Sequence, residues 1–307
     1  MQLPFWCDKV TPVMKMTKQW KGTLSILLAT IIWGSTFVAQ SVGVEKIGPF
    51  TFLALRCYLA VAVLLPVIFL KNRRNFLAQL KNPELWVAAI PCGIALFVAT
   101  ALQQLGLIYT SAGKSGFITA MYLLLVPIFG LFLRRRPRKI LILSILLATV
   151  GLYLLSGARL EEINIGDILT FGCAIAFAVQ ILLVDRMAPQ ADSVSLNMAQ
   201  SLVCAVISTV FMIFETPNTR DILSCWLPLC YAGMLSMGLA YTLQIVGQKA
   251  LEPNTASLLM SFESIFAALS GWLILGEVFT LPEGIGCALV FIGILLSQIP
   301  IRKKAPA

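Results

Sequence analysis

The chain has 307 residues, of which 59% are hydrophobic and only 12% charged, and it carries a net charge of +9. Soluble domains carry about 25% charged residues, so this composition calls for a second apolar solvent, the bilayer. The positive balance is not read as a nucleic-acid footprint, because the Lys and Arg residues sit in short segments between apolar runs and face anionic lipid headgroups there.

Residues 1–21 contain Lys9, Lys15, Lys18 and Lys21. They are read as a cytoplasmic arm and not as a signal peptide, because no small-residue cleavage pattern closes the first apolar run and further runs follow. Ten apolar runs then fall at about 22–41, 50–70, 85–107, 113–133, 139–157, 166–184, 194–214, 225–248, 255–275 and 282–300, leaving 301–307 as a tail. A helix needs about 20 apolar residues to cross a ~30 Å hydrocarbon core. Period-two alternation is missing, and lipid-exposed backbone must satisfy its own hydrogen bonds, so the runs are predicted to be helices. The expected fold is all-α: a polytopic membrane protein with ten transmembrane helices.

Basic residues set the orientation. With the N-terminus inside, the inner segments hold Lys71, Arg73, Arg74, Lys81, then Arg134, Arg135, Arg136, Arg138, Lys139, then Arg186, Lys249, Arg302, Lys303 and Lys304. The outer loops hold only Lys46, Arg159 and Arg220, with Lys114 at a helix mouth. Both termini are therefore expected in the cytoplasm, with the chain in the plasma membrane, the inner membrane of a bacterium.

The second half of the sequence repeats the first. Gly22 and Gly166 each open a long apolar run, and that offset of 144 pairs Trp33 with Phe177 and Arg56 with Gln200. An offset near 140 pairs Gln104 with Gln244, and one of 142 pairs LFLR at 131–134 with LILG at 273–276. Each half then holds five spans, 22–157 and 158–300. An odd number inverts the second half, which predicts an inverted repeat with a site at the repeat interface near the midplane.

Polar groups in the spans are the candidate site residues, because their burial in lipid is costly. The first run carries Trp33 and Thr36 on one face with Thr30 and Gln40, the third Gln103 and Gln104, and the fourth Tyr122. The sixth carries Phe177 and Gln180, and the eighth Tyr241 and Gln244. Glu263 is the acidic residue well inside a run, roughly 11 Å from the start of the ninth at ~1.5 Å per residue. It reads either as a substrate-amine or proton site, or as a structural anion. Arg56 is the matching intramembrane cation, suited to a substrate carboxylate or a structural pairing, and Lys114 either snorkels or faces an outer vestibule. Together these residues predict an amide and aromatic lining for a small polar or zwitterionic solute. Pro91-Cys92-Gly93 and Pro127 are expected interruptions and candidate hinges.

Histidine is absent, the eight cysteines show no ligand spacing, and no HExxH or GxxxxGKS motif occurs. An enzyme, a metal site, a cofactor and direct ATP drive are not expected. The cysteines read as packing residues.

The segments WGSTFV at 33–38, LQQLGLIYTSAGKSGFITAMYLLLVPIFG at 102–130, PNTASLL at 253–259 and LILGE at 273–277 give the chain a distinctive signature. On these motifs the chain resembles bacterial drug/metabolite transporters of the EamA type. The resemblance implies two inverted five-helix halves around a central cavity, walled by the first, third, fourth, sixth, eighth and ninth helices, and export of amino acids, related metabolites or toxic compounds. The small four-helix relatives couple to protons through a glutamate in their first helix, which this chain lacks. The expected function is secondary transport of a small molecule by alternating access among membrane lipids, with protons a candidate coupling ion. An uncoupled facilitator and a lipid-linked flippase are the alternatives, and the oligomeric state is left open.

Overall fold

The computed structural model describes residues 12–110, 112–134, 137–155, 164–216, 218–275 and 280–297. Among them there is no strand. The helices are α1 (Pro12–Ile47), α2 (Pro49–Lys71), α3 (Phe76–Lys81), α4 (Pro83–Gly106), α5 (Ala112–Ala120), α6 (Tyr122–Phe132), α7 (Lys139–Leu155), α8 (Ile165–Met187), α9 (Ser193–Met212), α10 (Thr219–Ser224) and α11 (Trp226–Cys230). A π-helical stretch over Tyr231–Ala240 leads into α12 (Tyr241–Gln248), followed by α13 (Pro253–Met260), α14 (Phe262–Leu275) and α15 (Leu281–Ser297). Among the described residues, seven helical segments are long and apolar enough to cross a membrane: 18–47, 49–71, 83–106, 113–132, 165–190, 193–212 and 226–248. The apolar helices Lys139–Leu154 and Leu281–Ser297 are shorter.

Local chemistry sets the helix starts. Pro49, Pro83 and Pro253 stand at the first helical positions, where their missing N–H costs nothing. Asn82 caps α4 through Glu84 N–H, and Asp192 caps α9 through Ser195 N–H. Asn164 and Asp167 form a reciprocal capping box on α8.

The structure departs from the sequence expectation in two places. Helix α1 begins at Pro12, well before the apolar run opens at Gly22, because Lys15, Lys18 and Lys21 are good helix formers and need no burial. The helix interruptions also fall elsewhere: α4 continues through Pro91, and the fourth run breaks at Met121, ahead of Pro127. The ninth run breaks at Ser261. At both breaks the backbone tightens to a shorter turn, with Leu124 N–H donating to Met121 O at 2.9 Å and Ser264 N–H to Ser261 O at 3.2 Å.

Helices α4 and α8 pack together, as do α1 and α12. The same exchange relates α4 on α9 to the π stretch on α2, and α5–α6 on α8 to α13–α14 on α1, while α2 packs on α9 and α7 on α15. Small residues permit these contacts, since helices in lipid gain from close backbone approach and not from hydrophobic exclusion. A Cβ on Gly247 would lie 2.9 Å from Gly22 O, and one on Gly166 would lie 2.7 Å from Gly106 O. On α7 and α15, a Cβ on Gly151 would meet Gly286 O at 2.6 Å, and one on Gly293 would meet Ser144 O at 2.6 Å. The outer surface is studded with exposed apolar side chains such as Val87, Phe132, Phe214 and Leu273, a surface that only lipid covers without aggregation. Cys57, Cys92, Cys173, Cys204 and Cys225 are buried and unbridged, with the Cys57 and Cys204 sulfurs 3.6 Å apart.

Candidate substrate cavity

A small cavity lies between the two halves of the chain. Its wall is built from Trp33, Phe37, Gln40, Arg56, Gln103, Tyr122, Phe177, Ile181, Ser236, Tyr241, Gln244, Met260 and Glu263. These residues come from α1, α2, α4, α6, α8, the π stretch, α12, α13 and α14. The π stretch ends at Ala240, just before the wall residue Tyr241, and contributes Ser236, so the widened helix turn lies on the wall itself.

Two ionisable side chains line this space. Arg56 is 2% exposed and Glu263 6% exposed, and no ion pair joins them. Arg56 donates from Nη1 to Gln40 Oε1 at 2.6 Å, and its guanidinium stands 5.8 Å from the Phe52 ring centre. Its Nε makes no hydrogen bond. Tyr122 donates to Glu263 Oε1 at 2.9 Å. Because α6 starts at Tyr122 and α14 starts at Phe262, this bond joins the two helix breaks. Ser264, in the same first turn of α14, donates to Gly116 O on α5 at 3.1 Å and holds the two broken helices together.

Two amide pairs flank the charges. Gln104 Nε2 donates to Gln40 Oε1 at 3.2 Å, and Gln244 Nε2 donates to Gln180 Oε1 at 3.1 Å. Aromatic rings close the sides: Trp33 meets Tyr241 edge-on with centroids 5.0 Å apart, and Tyr122 meets Phe177 at 6.4 Å. Trp33 Nε1 and Gln244 Oε1 are buried on the wall without a hydrogen-bond partner. Buried polar atoms are rarely left unpaired, so these two and Arg56 Nε are available to bond a polar solute.

Of the residues singled out in the sequence, Trp33, Arg56, Gln103, Tyr122, Phe177, Tyr241, Gln244 and Glu263 come together on one wall. Gln104 and Gln180 sit one step behind it as partners of Gln40 and Gln244. Thr36 is away from the wall and spends its hydroxyl on Ile32 O at 2.5 Å. Lys114 is also away from it, paired with Asp167 at 2.7 Å. Thr110 donates to the same carboxylate at 3.0 Å, and Asn164 donates to Tyr109 O at 3.1 Å, so this end of α4, α5 and α8 is tied shut. Phe37, Ile181 and Ser236 reach the wall without having been picked out in the sequence. Phe37 stands four residues after Trp33 and Ile181 four after Phe177, the helical spacing that a cavity-facing stripe requires. Ser236 had no comparable signal, because the π stretch shifts the register of its neighbours.

These features define a multi-pass membrane protein with a polar, charge-bearing cavity at its centre. The EamA-like transporter family model matches the chain twice, over residues 20–157 and 164–298. The chain belongs to the EamA-like transporter family, part of the drug/metabolite transporters. An uncharacterized transporter of Archaeoglobus fulgidus is 29% identical, over 92% of this chain and 88% of that protein. The uncharacterized inner membrane transporter YicL of Salmonella typhimurium is 27% identical, over 94% and 98%. The threonine/homoserine exporter RhtA of Salmonella typhimurium is 29% identical over 57% of this chain and 59% of its own length. A solved crystal structure superposes with a TM-score of 0.75 at 21% identity, covering 90% of this chain and 96% of that one, and shows the same fold.

Proposed function

We propose that the protein is a secondary exporter of small zwitterionic metabolites of the amino-acid type, working by alternating access. The observation that carries this reading is the pair of opposite, mutually unpaired charges on one wall, Arg56 and Glu263. An α-amino acid offers a carboxylate to a guanidinium and an ammonium to a carboxylate, and a low-dielectric cavity strengthens both contacts. Trp33, Phe177 and Tyr241 then accommodate the solute's side chain. The partial likeness to a threonine/homoserine exporter supports the same solute class.

In this reading the chain forms ten spans, the seven long segments together with α7, α13–α14 and α15. The halves 22–157 and 158–300 are inverted repeats, with both termini in the cytoplasm and the chain in the plasma membrane, the inner membrane of a bacterium. Support comes from the two family matches over 20–157 and 164–298, from the exchange of helix partners described above, and from the matched helix breaks at Met121 and Ser261. Two similar halves of opposite topology give inward- and outward-open states of nearly equal energy. A solute drives the exchange only through contacts that differ between those states.

The test is efflux from sealed vesicles holding the purified chain. Preloaded radiolabelled threonine or homoserine is expected to leave faster than from empty vesicles, and Glu263→Gln is expected to abolish the difference. Equal leakage with and without the protein, across a panel of amino acids, overturns the reading. Collapse of concentrative transport when the proton gradient is dissipated distinguishes a coupled exporter from a facilitator.

A further inference from the structure

A second hollow, separate from the central cavity, opens toward the bilayer between α6 and α8. It is lined by Phe129, Phe132, Leu133, Val179, Leu182 and Leu183, with Arg186 at its rim. Phe132 is 82% exposed, so the trough presents an open apolar face and not a filled core. Arg186 has no carboxylate partner among the described residues, whereas its neighbour Asp185 lines the adjoining hollow on the other side of Leu182. Arg134 directly follows the lining residue Leu133 and is likewise exposed and without a carboxylate partner among the described residues.

Arg134 adopts φ 58, the left-handed conformation that terminates α6. Glycine favours that position at a helix end, and other residues adopt it only at a cost. The matching segment of the second half reads LILG where this one reads LFLR, so glycine stands at 276 where arginine stands at 134. An offset of 144 likewise puts Val42 opposite Arg186. The basic rim, built from one arginine of each half, thus has no basic counterpart at the repeat-related positions. Retaining a strained arginine where the repeat uses glycine indicates that its charge has a use.

We propose that this trough is a binding site for an anionic phospholipid. One acyl chain lies along Phe129, Phe132 and Leu183, and the phosphate sits between Arg134 and Arg186. The occupant is a lipid and not a soluble anion, because the charged rim caps an apolar face open to the hydrocarbon. Assignment of the site to the cytoplasmic leaflet rests on the orientation proposed above; the lipid contact itself does not.

The test is lipid binding to the purified full-length chain in detergent, read by native mass spectrometry with dioleoyl phosphatidylglycerol and dioleoyl phosphatidylcholine in competition. The wild type is expected to prefer phosphatidylglycerol. R134G and R186Q are each expected to lower that preference about five-fold, the change expected from one arginine near an anionic headgroup. R134G also relieves the backbone cost, so its melting temperature is expected to hold or rise, which separates lost binding from lost folding. Glycerol phosphate without acyl chains is expected not to compete. Equal binding of the two lipids by the wild type, or an unchanged preference in the double variant, overturns the proposal. Failed amino-acid efflux with intact lipid preference sinks the transport reading alone.

Discussion

Gln104 Nε2 donates to Gln40 Oε1 at 3.2 Å, a bond that spans 64 residues of chain. Its counterpart is the bond from Gln244 Nε2 to Gln180 Oε1 at 3.1 Å, which spans the same 64 residues. Adding 140 to the first pair of numbers yields the second, the offset that pairs Gln104 with Gln244 in the sequence. Each bond joins helices of one half beside the central cavity. Both are buried, so removing Gln244 leaves Gln180 Oε1 without a partner, and removing Gln104 leaves Gln40 Oε1 with the Arg56 bond alone. Gln104→Leu and Gln244→Leu are each expected to destabilise the protein by about 1–3 kcal/mol, read by thermal unfolding in detergent. Costs that differ widely between the two variants would count against the equivalence of the pairs.

Glu263 accepts from Tyr122 at 2.9 Å while its charge faces the cavity. Glutamine at this position keeps the size and the acceptor but removes the charge. Glu263→Gln is therefore expected to keep a wild-type melting temperature and to lower transport at least ten-fold in the vesicle assay. Full transport by that variant removes Glu263 from the mechanism.

Trp33 packs edge-on against Tyr241 with centroids 5.0 Å apart, and its indole N–H points to no protein acceptor. Truncation removes both apolar area and a donor. Trp33→Ala is expected to weaken solute affinity about ten-fold, measured by titration calorimetry on the purified chain. An unchanged isotherm assigns Trp33 to packing.

A Cβ on Gly151 would come within 2.6 Å of Gly286 O, whereas one on Gly113 would meet nothing within 4 Å. Gly151→Ala is expected to cost about 1–3 kcal/mol by forcing α7 and α15 apart, and Gly113→Ala to cost almost nothing. Comparable melting temperatures for the two variants would contradict the close approach of those helices.

Asp192 pairs with Lys71 and accepts from Ser195 N–H at 3.1 Å, tying the end of α2 to the start of α9. Burial pushes its carboxyl up, but the Lys71 ammonium and the Ser195 N–H outweigh this and hold it below the usual aspartate range. A depressed folded-state value stabilises the fold above the unfolded-state value, and that contribution is lost as pH falls through the folded-state one. Lys71 is 59% exposed, so the whole effect is at most about 1 kcal/mol. Asp192→Asn is expected to lower the melting temperature slightly at pH 7 and to flatten its decline below the aspartate range. A variant whose acid decline matches the wild type would show that the pair contributes nothing.

Much of the cavity wall was legible in the sequence because a polar or charged group inside an apolar run has few places to go. Trp33, Arg56, Gln103, Gln244 and Glu263 all announce themselves in this way, and all reach the wall. Phe37, Ile181 and Met260 do not, since an apolar residue in an apolar run looks the same facing lipid, core or cavity. Thr36 misled for the opposite reason: a hydroxyl in a helix can satisfy itself on the preceding turn, as Thr36 does on Ile32 O, and needs no partner across the bundle.

By itself the sequence determined that the chain is helical and lies in a membrane, and it places in two successive halves the residues that end up opposite each other. Hydropathy and the cost of unpaired backbone in lipid suffice for that. Only the tertiary structure decided where the helices break and which charges share a space. The breaks at Met121 and Ser261 carry no proline or glycine of their own, and Tyr122 and Glu263 meet there across the bundle. Whether Arg56 and Glu263 line one cavity depends on how α2 and α14 pack against α1, a long-range arrangement that no local pattern encodes.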